Sequence, residues 1–188
     1  AVARQREVLL TQQASWVQRM QKALVQMNIQ LTEVISDVMG QTGQAIIRDM
    51  DVADRETVID LIWELNRFEN GVSGDRAPDR KAAASGLGAN RRRMAGHGGI
   101  ELVAEVDGAV VGYLLCVIES AQAYVHSRYS RHAYIAELVV AQAMRGKGLG
   151  QRLMAAAEAF AREQGVPSIF IGVLAGNEPA DRLYDHLG

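Results

Sequence analysis

Residues 135–150 read IAELVVAQAMRGKGLG and run on at 151–165 as QRLMAAAEAFAREQG. A run rich in β-branched and aliphatic residues gives way to a glycine-punctuated turn, and the turn opens onto apolar positions at helical spacing. The reading is a strand over 133–141, a loop over 145–150 and a helix over 149–164. Backbone N–H groups in such a loop point outward at the positive end of the helix dipole, where an anion is stabilised. Glycine at Gly146, Gly148 and Gly150 removes side chains that would hold a diphosphate away from those donors. Arg145 and Lys147 add positive charge, and Leu149 starts the apolar face of the helix. Two common phosphate loops are excluded by spacing: GxxxxGK[ST] does not occur, and GxGxxG fails because the three glycines alternate. What remains is RxxGxG. Alone, it says only that an anion binds.

Outward from this loop the chain alternates short elements of an α/β domain. Residues 45–50 predict a strand. Asp54 predicts an N-cap for a helix whose apolar positions Val58, Ile59, Ile62, Leu65 and Phe68 share one face. The polar, glycine-rich stretch 71–99 reads as a loop with a short helix after Pro78. Strands over 101–106 and 109–118 are joined by Asp107-Gly108, a dipeptide that accepts the positive backbone angles of a tight hairpin. A strand over 168–174 and a helix over 178–187, with Pro179 in its first turn, complete the pattern.

The first 43 residues differ in kind. Leu10, Val17, Met20, Leu24, Met27, Leu31, Val34 and Val38 step alternately by three and four, interrupted only by Gln13. That seam predicts a long helix that packs along its length against another, and self-association is the expected use. With 20 basic and 22 acidic side chains the formal net charge is −2, and no polybasic tail offers itself to nucleic acid or anionic lipid. No apolar run reaches the ~20 residues of a bilayer span, so a membrane is not an expected partner. The single cysteine, Cys116, cannot form an intramolecular bridge and sits in an apolar run, which points to a reducing cytoplasm.

Three segments carry a family resemblance: LVAEVDGAVVGYLL, then IAELVVAQAMRGKGLGQRLMAAAEAFAREQG, then NEPADRLYDHLG. In this order, over residues 45–188, the chain resembles the GCN5-related N-acetyltransferases (GNAT). The resemblance implies an α/β (α+β) fold with a central mixed, mostly antiparallel sheet flanked by helices, here preceded by the N-terminal helix, so that 1–43 is an extension and 44–188 the domain. It implies an acetyl-CoA-dependent N-acetyltransferase that moves acetyl directly to a primary amine of a small molecule or protein. Coenzyme A would place its diphosphate on Arg145, Gly146, Lys147, Gly148, Leu149 and Gly150, and its pantetheine arm along Val139 and Val140, with a backbone N–H near Val140 polarising the acetyl carbonyl. Asn177 matches the asparagine that bonds the pantetheine region, and Tyr184 the tyrosine that protonates the departing thiol. Glu137 is a candidate general base on the strand beside the cofactor, although strict alternation leaves its face open. Glu119, at the end of the neighbouring strand, is the alternative.

A second resemblance covers residues 8–48, where MQKAL, QMN and VISD are similar to a helical fragment of insertion-sequence transposases. None of a transposase's acidic catalytic residues has a counterpart in context, so no recombination activity is implied. The competing function is therefore a non-catalytic acyl-CoA-binding module with an oligomerisation helix. His126 and His132 read as surface or acceptor-loop residues, with no metal implied, since no third ligand lies in range. Arg91, Arg92 and Arg93 read as a solvated helix face, and Trp16 and Trp63 as packing residues. Family members continue past LYxxLG into further strands, whereas this sequence stops at Gly188. The expectation is that the natural chain continues or that a second subunit covers the sheet edge in a homodimer.

Overall fold

The computed structural model describes residues 45–120 and 130–175, with Asn177 and Ala180. The N-terminal seam, most of the loop between the third and fourth strands with His126, and Tyr184 in the expected C-terminal helix lie outside the described residues. In chain order the elements are β1 (Ala45–Asp49), α1 (Arg55–Ser73), α2 (Arg80–His97), β2 (Gly99–Val106), β3 (Ala109–Ser120), β4 (Arg131–Val140), α3 (Leu149–Glu163) and β5 (Ile169–Ile171). The strands form one sheet in the order β1-β2-β3-β4-β5. The first three pairings are antiparallel, while β4 and β5 run parallel. This is the mixed, mostly antiparallel sheet that the resemblance implies.

The β2–β3 hairpin turns on Asp107 and Gly108 with φ of 51° and 79°, the left-handed pair its sequence predicts. The sheet is covered on both faces. Val58, Ile59, Leu61 and Ile62 of α1 and Ala83 and Leu87 of α2 pack on Val103, Tyr113, Leu115, Val117 and Val139. On the other face Leu153, Met154, Ala157 and Ala161 of α3 cover Leu102, Leu114, Cys116, Ala133 and Ile135. Cys116 is wholly buried there, and burial pushes its thiol up to about 12, so it behaves as a small apolar residue. Among the described residues no helix is long and apolar enough to cross a membrane.

Two local expectations are corrected. Asp54 stands at the N-cap position of α1, but its side chain makes no capping bond there. Its carboxylate instead closes a capping box with Asp51, whose side chain accepts from Ala53 N at 3.0 Å while Asp51 N donates to Asp54 Oδ2 at 2.7 Å. Asp54 also accepts both guanidinium arms of Arg48, at 2.6 and 3.0 Å, and this bond holds its carboxyl below the usual range. The stretch 71–99 is not a loop either. Asp79, accepting from Ala82 N at 2.8 Å, starts an 18-residue helix. Gly86, Gly88 and Gly96 each cost this helix about 1 kcal/mol relative to alanine, and burial of Ala83 and Leu87 against α1 and the sheet offsets that cost. Its C-terminal end crosses β2 and β3 closely: a Cβ on Gly99 would lie 2.3 Å from Cys116 O and 2.7 Å from Met94 Cγ.

Candidate active site

β4 decides what the sheet offers to a ligand. Its pairing with β5 covers Ala133, Tyr134 and Ile135 only, so residues 136–140 have no strand partner on that side among the described residues. On the other side Leu115 pairs with Glu137 and Cys116 with Ile135, which leaves Ala136 as the extra residue of a β-bulge. The bulge resets alternation. Ala133 and Ile135 face α3 before it, and Leu138 and Val140 face α3 after it, while Ala136 and Val139 lie with the α1–α2 side.

Glu137 therefore faces the α1–α2 side, where Asn90 Nδ2 of α2 donates to its Oε1 at 3.0 Å. Burial pushes the Glu137 carboxyl up to about 7, with Glu69 adding to the rise, while Arg76 and the Asn90 amide pull the other way. Glu69 is itself held by Arg76 Nε at 2.9 Å. A second buried carboxylate on this face, Glu101, is treated differently. It takes Arg91 Nε at 2.8 Å and the Tyr113 hydroxyl at 2.9 Å. Burial and Glu101 together push the Tyr113 phenol far above its ordinary range. One carboxyl is thus neutralised by a guanidinium, and the other, among the described residues, is met by a neutral amide.

Glu119 stands at the far end of β3, paired with His132. It bonds Arg93, and His132 Nε2 lies 3.7 Å from its other oxygen. Four residues separate it from Leu115, the partner of Glu137, or about 13 Å of strand. Arg93 also lies over the Tyr134 ring at 4.9 Å. The arginine run is thus not a solvated face: Arg91 and Arg93 are committed to Glu101 and Glu119. His132 belongs to β4 rather than to a loop, edge-on to Phe170 at 4.7 Å. Trp63 does pack on the α1–α2 side, and its Nε1 donates to Pro78 O at 2.7 Å.

Beyond Val140 the chain makes one short turn and enters the glycine loop. Gly146 and Gly148 both have φ of 76°, left-handed geometry that strains any other residue. Gly148 is the N-cap of α3, so the first amides of that helix lack an intrahelical acceptor. Arg145 is turned back from this end. Its Nε donates to Val140 O at 2.9 Å and its Nη2 to Glu64 at 2.9 Å. The same Glu64 oxygen accepts from Gln142 N at 3.0 Å, so one α1 side chain holds both ends of the turn. Lys147 is exposed, with its Nζ 3.4 Å from Met144 Sδ. Val139 is buried, whereas Val140 lies on the α3 face of the open edge. Asn177 is buried and its Oδ1 accepts from Ala180 N at 3.3 Å. An unpaired strand edge leading into a helix N-terminus fits an elongated ligand with an amide-bearing arm and a diphosphate.

The acetyltransferase (GNAT) family model matches residues 59–188. The chain belongs to the GNAT family. Membership makes it an acyltransferase that uses acetyl-CoA. Solved structures agree in fold. A transcriptional regulator from Bacillus halodurans C-125 is 23% identical with a TM-score of 0.60, covering 77% of this chain and 91% of that one. A GCN5-related N-acetyltransferase from Ralstonia eutropha JMP134 is 24% identical, TM-score 0.57, covering 77% and 91%. The aminoglycoside N-acetyltransferase AAC(6')-Iy in complex with CoA is 17% identical, TM-score 0.59, covering 79% and 90%. At these identities the likeness is one of fold. A comparison with curated proteins gives no match.

The GNAT signal in the sequence named the loop and the strand but missed Asn90, Glu64 and the bulge at Ala136. Asn90 could have been found. It falls on one stripe with Ala83, Leu87 and Met94, spaced four, three and four, where volume alone calls for an apolar side chain.

Proposed function

We propose that this GNAT-family chain transfers acetyl from acetyl-CoA directly to a primary amine of a small molecule or protein, with Glu137 as general base. The observation that carries the reading is a carboxyl pushed up to about 7 that lies beside the unpartnered length of β4. Bound acetyl-CoA supplies an acyl thioester, whose C–S bond breaks as the amine's C–N bond forms. The amides of Gly146 to Gly150 hold the diphosphate, with Lys147 adding charge, and the edge at Val139 and Val140 pairs with the pantetheine arm. Arg145 and Leu149 fix that loop from either side, and Asn177 bonds the pantetheine region.

An amine with a pKa near ~10.4 arrives as ammonium. Glu137, ionised as pH rises through about 7, accepts one of its protons and frees the lone pair for attack. Tyr184 gives a proton to sulfur and takes back the second proton that the nitrogen sheds as the amide forms. Glu119 is already ion-paired with Arg93, which leaves Glu137 as the base. The CoA complex of an aminoglycoside N-acetyltransferase among the fold neighbours is in keeping with an amine acceptor. A cytoplasmic setting suits a chain with one buried thiol, and homodimerisation through the 10–38 seam or the β5 edge belongs to the same reading.

The test is acetyl-CoA titration by calorimetry beside thiol release with a panel of amines. Glu137→Gln should keep acetyl-CoA binding and lower kcat/KM by about 10²–10³-fold. Wild-type binding without thiol release from any amine would replace this reading with the non-catalytic acyl-CoA-binding module. Unchanged thiol release by Tyr184→Phe at every pH would remove Tyr184 as the acid.

A further inference from the structure

We infer that Asn90 is a positioning residue for the reaction: its side-chain amide fixes one oxygen of Glu137 so that the other is presented to the acceptor amine. This rests on the proposed role of Glu137. Three observations carry it. The first is the bond itself, Asn90 Nδ2 to Glu137 Oε1 at 3.0 Å, between residues 47 apart in sequence. The second is the place of Asn90 in α2. It follows Ala83 and Leu87, both fully buried, and precedes Met94 on the stripe that packs against the sheet, so a polar side chain there needs a partner. The third is the contrast with its neighbour. Arg91, one residue on, meets the other buried carboxylate of this face, Glu101, with a full positive charge.

An arginine or lysine in place of Asn90 would hold Glu137 ionised and weaken it as a base, because an ion pair favours the charged form. A neutral amide orients the carboxylate with a much smaller loss of basicity. It engages Oε1 and leaves Oε2 clear of Asn90. The charged groups that act on Glu137 come from two other places: Glu69 of α1, which raises its basicity, and Arg76 of the α1–α2 connection, which lowers it while bonding Glu69. Tyr113 of β3 lies on the same face, with its hydroxyl given to Glu101. Among the described residues, Asn90 is the group that hydrogen-bonds the Glu137 carboxyl.

The experiment compares pH profiles of kcat/KM for wild type, Asn90→Leu, Asn90→Asp and Glu137→Gln, with acetyl-CoA affinity measured for each and the Glu137 side-chain carboxyl of wild type and both Asn90 variants titrated by carbon NMR. In Asn90→Leu the lost donor should move the acid limb and the Glu137 titration upward together by about half a unit or more, and lower the alkaline plateau of kcat about tenfold, with acetyl-CoA affinity unchanged. Asn90→Asp, the same size, should move both further by like-charge repulsion and keeps the inference testable if the leucine variant does not fold. A Glu137 titration and acid limb that stay put in the folded variants would overturn the role of Asn90 while leaving Glu137 as base. An acid limb that survives in Glu137→Gln overturns the role of Glu137 itself, and the NMR titration then reports the Asn90 contact independently of catalysis.

Discussion

Gly146 and Gly148 are where one residue's backbone decides binding. Both sit at φ of 76°, and the space around the missing Gly146 Cβ is open, so a substitution there acts through strain and not through collision. A β-branched residue held in the left-handed region costs about 1–2 kcal/mol. Gly146→Val is therefore expected either to strain the loop or to move its amides off the diphosphate. Acetyl-CoA affinity measured by calorimetry should fall at least tenfold while the melting temperature moves by only a few degrees; unchanged affinity would mean that these amides do not hold the diphosphate. At this scale the sequence is highly legible. Glycine and Asp-Gly pairs name their own backbone angles, as the β2–β3 turn bears out, whereas the face of Glu137 was unreadable because a bulge at Ala136 breaks the alternation on which such readings depend.

The strand, loop and helix over 131–163 could be read because each has its own period and punctuation. α2 could not. Its glycines imitate a loop, and the packing of Ala83, Leu87 and Met94 that overrides them comes from α1 and the sheet, which local sequence does not show. Truncating that packing tests the account: Leu87→Ala, at a fully buried position, should cost about 2–4 kcal/mol in denaturant unfolding, and a loss below 1 kcal/mol would mean α2 is held by something else. Elements also act through each other here. Glu64 lies on α1, yet its carboxylate grips Gln142 N and Arg145 on the turn before α3. Glu64→Ala should leave the fold and the Asn90–Glu137 contact intact while freeing the turn. Acetyl-CoA should then bind about tenfold more weakly with little change in kcat, since uniform binding is lost and not transition-state stabilisation. A fall in kcat with unaltered affinity would place Glu64 in the chemistry instead.

At the scale of the whole molecule, Asp54 and Glu137 pull stability in opposite directions with pH. Asp54 is held low by Arg48, so the unfolded chain binds its proton more readily, and the stabilisation it gives is present above the unfolded pKa near ~3.9 and lost as pH falls through the folded value. Glu137 is the reverse case. Its folded value of about 7 lies above the unfolded value near ~4.3, so between the two the native state holds a proton that the unfolded chain has released, and stability declines as pH rises through that window. A site that needs a base at neutral pH thus keeps a half-buried carboxylate at a cost of about 3–4 kcal/mol above pH 7. Glu137→Gln cancels the charge and keeps an oxygen for Asn90 to bond. The variant is expected to match wild type in thermal stability near pH 5 and to exceed it increasingly up to pH 8, while its kcat/KM falls by about 10²–10³-fold. Melting curves of both proteins between pH 5 and 8 check this directly. A difference in melting temperature that stays constant across that range would mean that Glu137 ionises as freely in the folded protein as in water, and the case for it as the base would go with it.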